Sequence, residues 1–321
     1  MDDPRTYFLS QLDLTKTRIK AFEGFVLLCG GQSDANPHPV KSVRHLIQSE
    51  LTNGRNSGLA KRVRVAEETK DWFHGGVYKD LVTFEEHLAG LSAVVVLVVE
   101  TAGSIAELGA FSVSGPFIDR LLVIVSQDHY HEDSFIRLGP IQKIENSSKD
   151  SVLVYDWHER PAYGPATENY ELIRTDVAEV VSKITEYVSP SDREHVFRAS
   201  EPSHIMSLIC ELCDLFGALN ESDIGNFLSK LSLNVESEDL SRYLFLLQKC
   251  QMLSLKAKGH GRYFYVDDWS SRVSFAYKEG AKFNRERLKV DTIAYYELKL
   301  KSRASIIKST RGARWTASSL K

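Results

Sequence analysis

The chain has 321 residues, well beyond the ~100–200 of a single domain, so two compact units are expected. Hydrophobic residues make up 43% and charged residues 26% of it, which excludes a disordered, collagen-like or low-complexity protein. The formal net charge of -3 argues against a protein that coats nucleic acid along its whole length, but residues 282–321 hold eleven Lys and Arg against three Asp and Glu. An acidic body with a basic end points to phosphates or an acidic partner at that end, or to a solvated helical face.

The first residues, MDDPRTYFLSQLDL, lack a basic stretch followed by a long apolar core, and no run reaches the ~18–20 apolar residues of a membrane span. Neither export nor insertion is predicted. Phe25–Leu28, Val63–Ala66, Ala93–Val99 and Leu121–Val125 are short and rich in Val and Leu, as strands buried on both faces are. Between them, Val40–Leu51, Thr83–Leu91 and Ser104–Val113 have helical spacing, so a doubly wound α/β domain with a parallel sheet is expected. Ser151–Tyr155 adds a further strand, and Glu168–Val188 reads as one long helix. The polar stretch that follows places a domain boundary, with a first domain over 1–190 and a linker over 191–203.

Beyond the linker, Ile205–Leu219, the stripe Ile224, Phe227, Leu228, Leu231 and the stripe Leu240, Tyr243, Leu244, Leu247 predict three helices. Met252–Lys256 and Arg262–Val266 then flank Lys258-Gly259-His260-Gly261, where two glycines can supply the positive φ of a tight turn. Three helices and a hairpin are the order of a winged helix, expected over 204–270, with Arg242, Gln248 and Lys249 exposed on its third helix. The same architecture also serves dimerisation or docking. A basic segment, 271–321, completes the chain.

Cys29, Cys210, Cys213 and Cys250 are too few and scattered for a disulfide scaffold, which fits a reducing cytoplasm. Cys210 and Cys213 form a CxxC, but both fall within a helical apolar pattern and no second pair stands at zinc spacing, so buried small hydrophobes are expected and no metal ligand set is assigned.

In an open parallel sheet, ligands bind outside the carboxyl ends of the strands, where loops and helix N-termini offer N–H groups. Two loops stand there. Gly30, Gly31 and Gln32 directly follow the first strand, and glycine permits close backbone approach to a ligand. Glu100-Thr101-Ala102-Gly103-Ser104-Ile105-Ala106-Glu107-Leu108-Gly109-Ala110-Phe111 follows the most apolar strand. Here Ser104 can cap the helix, Gly103 and Ser104 can present donors to a phosphate or ribose, and Glu107 can project back toward the crevice. Alternatively, Glu107 is a carboxylate favoured by the helix dipole.

The pair LCGG and ETAGSIAELGAF, with SFIRLGPIQKI over 134–144 and Phe84-Glu85, resembles the nucleoside deoxyribosyltransferase-like domains. It is most similar to the retron-associated effector proteins that join such a domain to a winged helix. The likeness spans about residues 20–270. It implies cleavage of an N-glycosidic bond, with Glu107 at the position of the transferases' nucleophile and Glu85 and Glu100 as candidates for the second carboxylate. A carboxylate suits an oxocarbenium-like transition state. The transferases often carry Asp where this sequence has Thr101, which puts true base exchange in doubt. The resemblance further implies an anti-phage toxin that consumes NAD as substrate, with no cofactor, held inactive by a retron reverse transcriptase and its multicopy single-stranded DNA in an oligomer or filament. The nucleic-acid surface is expected on Arg242, Lys249, Lys256, Lys258, Arg262, Lys299, Lys301 and Arg303. A DNA-binding regulator whose α/β domain senses a nucleotide without turning it over is the alternative.

Overall fold

The computed structural model describes residues 2–20, 24–34, 36–53, 57–65, 76–114, 118–189, 194–267 and 269–310. Ala66, residues 191–193 of the expected linker and the last part of the basic segment, 311–321, lie outside the described residues. The chain divides into two compact units, one over 22–191 and the other formed by 1–21 together with 192–321. Helix α1 (Pro4–Ser10) and strand β1 (Leu12–Lys20) therefore belong with the C-terminal part of the chain, where the sequence had suggested a first domain beginning at residue 1.

The unit over 22–191 is built on a five-stranded parallel sheet. Its strands are β2 (Phe25–Cys29), β3 (Val63–Val65), β4 (Ser92–Val99), β5 (Leu121–Ser126) and β6 (Val152–Tyr155), in the order β3-β2-β4-β5-β6. All residues of β2, β4 and β5 are buried, which is why these strands carry no polar alternation. Connections to parallel neighbours are right-handed, so a chain that runs from β2 out to β3, turns back to β4 and then proceeds outward places helices on both faces. On one face, α2 (Val43–Thr52) shares a core with Val26, Val94, Val96, Val98 and Leu122. The other face receives α3 (Leu81–Gly90) and α4 (Ala102–Val113), with Phe84, Leu88, Leu108 and Phe111 buried.

After β5 come the short α5 (Gln127–His131), a π-helical turn over Arg137–Ile141 with Pro140 inside it, and α6 (Gln142–Ser147). Past β6, strands β7 (His158–Glu159) and β8 (Thr167–Glu168) form a small antiparallel pair. The long helix expected over Glu168–Val188 is broken. Residues 167–168 are strand, Tyr170–Ile173 is a 3-10 turn, and only α7 (Val177–Val188) is α-helical. Asn169 makes the break: its amide N–H bonds the Trp157 carbonyl at 2.8 Å, and its side chain accepts from Glu171 N. Ile173, Val177, Val180, Val181 and Ile184 all join the core, so helical spacing persists across an interruption that spacing alone cannot reveal.

In the other unit, β1 is the centre of an antiparallel sheet, flanked by β9 (Glu194–Val196) and by the later β12 (Val273–Tyr277), with Leu12 opposite Tyr277 and Arg18 opposite Val196. Part of the expected linker is thus a strand. Helices α8 (Pro202–Phe216), α9 (Glu221–Lys230) and α10 (Ser237–Lys249) follow, then the hairpin of β10 (Ser254–Lys258) and β11 (Gly261–Tyr265). Gly259 has a φ of +60°, whereas Gly261 opens β11 without one. A Cβ on Gly261 would instead fall 2.5 Å from the Tyr263 ring. Cys210 and Cys213 are fully buried on α8, and burial pushes the Cys210 thiol up.

The basic segment continues as α11 (Arg285–Lys299) and α12 (Lys301–Thr310). Arg285 joins α11 to α8 through Glu211 and Asp214, and the fully buried Glu211 also accepts from Trp269 Nε1 at 2.8 Å and Ser271 Oγ at 2.9 Å. Among the described residues, no helix is long and apolar enough to cross a membrane.

Candidate active site at the strand crossover

The strand order reverses between β2 and β4, so the crevice at their carboxyl ends is where an open α/β sheet offers room to a ligand. Both loops singled out in the sequence end there, and Glu100 joins them. Its Oε1 accepts from Gly31 N at 2.7 Å and Arg44 N at 3.1 Å, while Oε2 accepts from Val43 N at 2.8 Å. Val43 and Arg44 are the first residues of α2, so this carboxylate takes the place at a helix N-terminus that an anionic ligand group otherwise fills. Burial pushes the Glu100 carboxyl above the usual carboxylate range, against the pull of the three amides and the Arg44 guanidinium. Ser42 caps α2, accepting from His45 N at 2.9 Å and donating to the Gln32 carbonyl at 2.7 Å; Gln32 itself is exposed.

The glycines have a different reason from the one their position suggests. Gly30 has a φ of +146°, and a Cβ there would lie 2.9 Å from Val98 Cβ. A Cβ on Gly31 would lie 2.8 Å from both the Glu100 carboxyl and Ser42 Cβ. The close approach at Gly31 is made by Glu100 and Ser42. Gly103 is exposed within the first turn of α4, and the nearest atom to a Cβ there is Thr101 Oγ1 at 3.7 Å. Gly31→Ala is therefore expected to destabilise by about 1–3 kcal/mol through overpacking, and Gly103→Ala to be neutral or slightly stabilising; thermal melting of both variants checks this.

Helix α4 is capped by Thr101, correcting the expectation that Ser104 is its cap. Thr101 Oγ1 accepts from Ser104 N at 3.1 Å, and the buried Ser104 hydroxyl accepts from Thr101 N at 2.9 Å and Glu100 N at 3.0 Å while donating to the Thr101 carbonyl. Ser104 is thus engaged with its own loop, and the exposed turn at Ala102 and Gly103 is what the helix offers outward. Glu107, the sixth residue of α4, is half-buried with Oε2 shielded from solvent. Glu85 is half-buried in α3, next to the fully buried Phe84. Helices running antiparallel to the strands bring their N-termini to the carboxyl edge of the sheet, so Glu85 and Glu107 stand in one helical layer and Glu100 stands in the crevice itself.

Residues outside the sequence expectations also belong to this edge. Burial and the carboxylates of Glu168 and Glu100 hold the Tyr170 hydroxyl above its usual range, and it donates to Glu168. Its signal was hidden by the apparent helix over 168–188. At the ends of β5 and β6, Arg160 pairs with Asp156 at 2.6 Å and with Asp128, and His158 Nδ1 lies 3.1 Å from Asp128 Oδ2. The readable sign was a run of polar and ionisable residues immediately after each strand. Among the described residues, no group of three or more His, Cys, Asp or Glu is placed to hold a metal ion.

The expected nucleic-acid residues divide. Arg303 is buried, pairing with Asp223 and donating to the Ala218 carbonyl at 3.3 Å, so it belongs to the interior of its unit. Arg242 is held by Glu238 at 2.7 Å and Asp239 at 2.8 Å with only 14% of its side chain exposed. Lys249, Lys258, Arg262, Lys299 and Lys301 are exposed, and Lys256 is half-buried. Arg262 pairs across the hairpin with Ala257, so it projects from the opposite face to Lys256 and Lys258.

Fold and crevice define an α/β protein whose sheet reversal is lined by carboxylates, joined in one chain to a unit of helices and a hairpin. The family model of the STM3845 retron effector protein matches residues 40–255, and the chain belongs to that family. It is also 27% identical over 172 residues to the Escherichia coli "Retron Ec73 putative ribosyltransferase/DNA-binding protein", an alignment covering 53% of this chain and 51% of that protein. The chain thus spans about half the length of this curated relative.

Proposed function

We propose that this retron effector cleaves the N-glycosidic bond of a nucleotide, with NAD as its substrate and Glu107 facing the anomeric carbon. The observation that carries the proposal is the meeting of the two glycine-bearing loops at the sheet reversal, beside the exposed first turn of α4. The name of the Escherichia coli relative, which speaks of ribosyl transfer, supports the same class of bond.

The engagement of Glu100 favours a particular leaving group. Both oxygens of Glu100 are turned onto the backbone amides of Gly31, Val43 and Arg44, so this carboxyl is placed to hold the crevice together and not to reach a departing base. In NAD the nicotinamide ring nitrogen is already cationic. When the C1′–N bond breaks, its electron pair neutralises that ring, and no general acid is required. The Glu107 carboxylate stabilises or captures the oxocarbenium carbon. Water then bonds to C1′, the carboxylate leaves with its electron pair if an ester had formed, and the water's proton passes to solvent. The products are nicotinamide and ADP-ribose. Glu85 is the second carboxylate of this layer, suited to the sugar hydroxyls. In the same proposal, a winged helix over 204–270 serves DNA binding, and a retron reverse transcriptase with its multicopy single-stranded DNA holds the activity in check.

The test is incubation of the purified full chain with NAD and with neutral nucleosides and nucleotides, followed by chromatography. Release of nicotinamide from NAD exceeding base release from the neutral substrates is expected. Binding without release would reduce the unit to a nucleotide sensor.

A further inference from the structure

In a winged helix the third helix commonly enters a groove, with its N-terminal residues toward the bases. Here that helix is α10, and its N-terminus is acidic: Glu236 precedes it, and Glu238 and Asp239 occupy its first turn, holding Arg242 between them. A phosphate approaching this turn meets carboxylates before it meets the guanidinium. Lys249, at the other end of α10, lies over the Phe245 ring at 5.5 Å.

The positive charge gathers elsewhere in the same unit. Lys256 and Lys258 are two apart on β10 and share a face. Lys256 Nζ donates to Ser309 Oγ at 2.9 Å, and Lys258 Nζ donates to Ser305 Oγ, so this face is continuous with α12. Lys301 stands one turn before Ser305 on α12 and is exposed. Lys308 extends the row, though Glu297 pairs with it at 2.7 Å. Neither β10 nor α12 contains an acidic residue. The opposite side of α12 is fixed in the interior by Arg303, Ala304, Ile306 and Ile307, so the lysines are carried on a rigid element. Two rings share this hairpin face: Tyr263, which lies against the Arg303 guanidinium at 5.6 Å, and the half-buried Tyr265 opposite Ser254.

We infer that the face formed by β10 and α12 takes the phosphate backbone of duplex DNA without reading sequence, and that α10 stays out of the groove. This rests on the DNA-binding half of the proposed function and is independent of the chemistry at Glu107. Lysine and serine side chains on a rigid surface provide the backbone-positioning contacts of such complexes.

The experiment is a salt titration of a fluorescent duplex of arbitrary sequence against the full chain, the triple variant Lys256→Gln/Lys258→Gln/Lys301→Gln and the single variant Lys249→Gln, with melting as the folding control. Each phosphate contact contributes about -0.9 to the slope of log affinity against log salt. The triple variant is expected to flatten the slope by about 2 to 3, and Lys249→Gln to change it by less than one. An unchanged slope in the triple variant overturns the inference, as does loss of the slope in Lys249→Gln. Tighter binding of a single strand of equal length overturns the duplex assignment. Failure of the parent to bind any duplex at low salt gives the face to an acidic protein instead. Nicotinamide release by the triple variant should equal that of the parent, so failure here and failure of the nucleotide chemistry are separable.

Discussion

Glu100→Ala is expected to destabilise the protein by about 3 kcal/mol. The substitution strips the acceptor from Gly31 N, Val43 N and Arg44 N at once. An orphaned buried donor costs about 1–3 kcal/mol, and relief of the desolvated carboxylate together with water entering the half-open crevice offsets part of that sum. Glu100→Gln should fall between the parent and the alanine variant, because its NH2 group faces a backbone donor where Oε2 stood. Chemical denaturation of the three proteins measures this. A loss below about 1 kcal/mol for the alanine variant would mean that Glu100 does not hold the crevice together.

The same carboxylate makes stability depend on pH. Its folded pKa is raised, chiefly by burial, so the folded state holds the proton more tightly than the unfolded chain. The stability gained from protonation is fully present below the ordinary carboxylate value and is lost as pH rises through the raised folded value. The stability of the parent relative to Glu100→Gln, which cannot titrate, should therefore be greater at pH 5 than at pH 7.5. If the difference shrinks on acidification, the three amide bonds outweigh burial and the carboxylate is held low.

The parallel strands were legible because strands buried on both faces leave uninterrupted runs of Val and Leu, as in β4 and β5. The two loops were legible because glycine after a strand is a strong local signal. What local patterns could not supply was partnership. Strand β1 finds its neighbours at residues 194–196 and 273–277, and no window of sequence contains both edges of that sheet. The roles within the crevice were exchanged for a similar reason: Thr101 and Ser104 both look like caps, and only the geometry assigns Thr101 to that role. Gly31 stood in the sequence as a glycine open to a ligand and Glu100 as a candidate second carboxylate, and no local pattern showed that the two are hydrogen-bonded to each other. Among the cations, the Arg242 pairing was readable in principle, since Glu238 and Asp239 stand four and three residues before it on a helix. The burial of Arg303 was not, because its partner Asp223 is eighty residues away.

Glu107→Gln is the second large effect, this time on activity. The amide keeps the size of the side chain and much of its hydrogen bonding but removes the negative charge that the proposed mechanism sets against the oxocarbenium carbon. Loss of one preorganised electrostatic contributor costs about 2.7–4 kcal/mol of transition-state stabilisation, or about 10²–10³ in rate. On the proposed function, cells expressing the parent are expected to arrest growth and cells expressing the variant to keep growing. The most direct measurement is the rate of nicotinamide release from NAD by the purified parent and by Glu107→Gln at equal concentration, with both shown to melt at the same temperature. The account predicts release by the parent and a fall of at least about a hundredfold in the variant. Equal rates in the two folded proteins, or no release of any base by the parent, would contradict it.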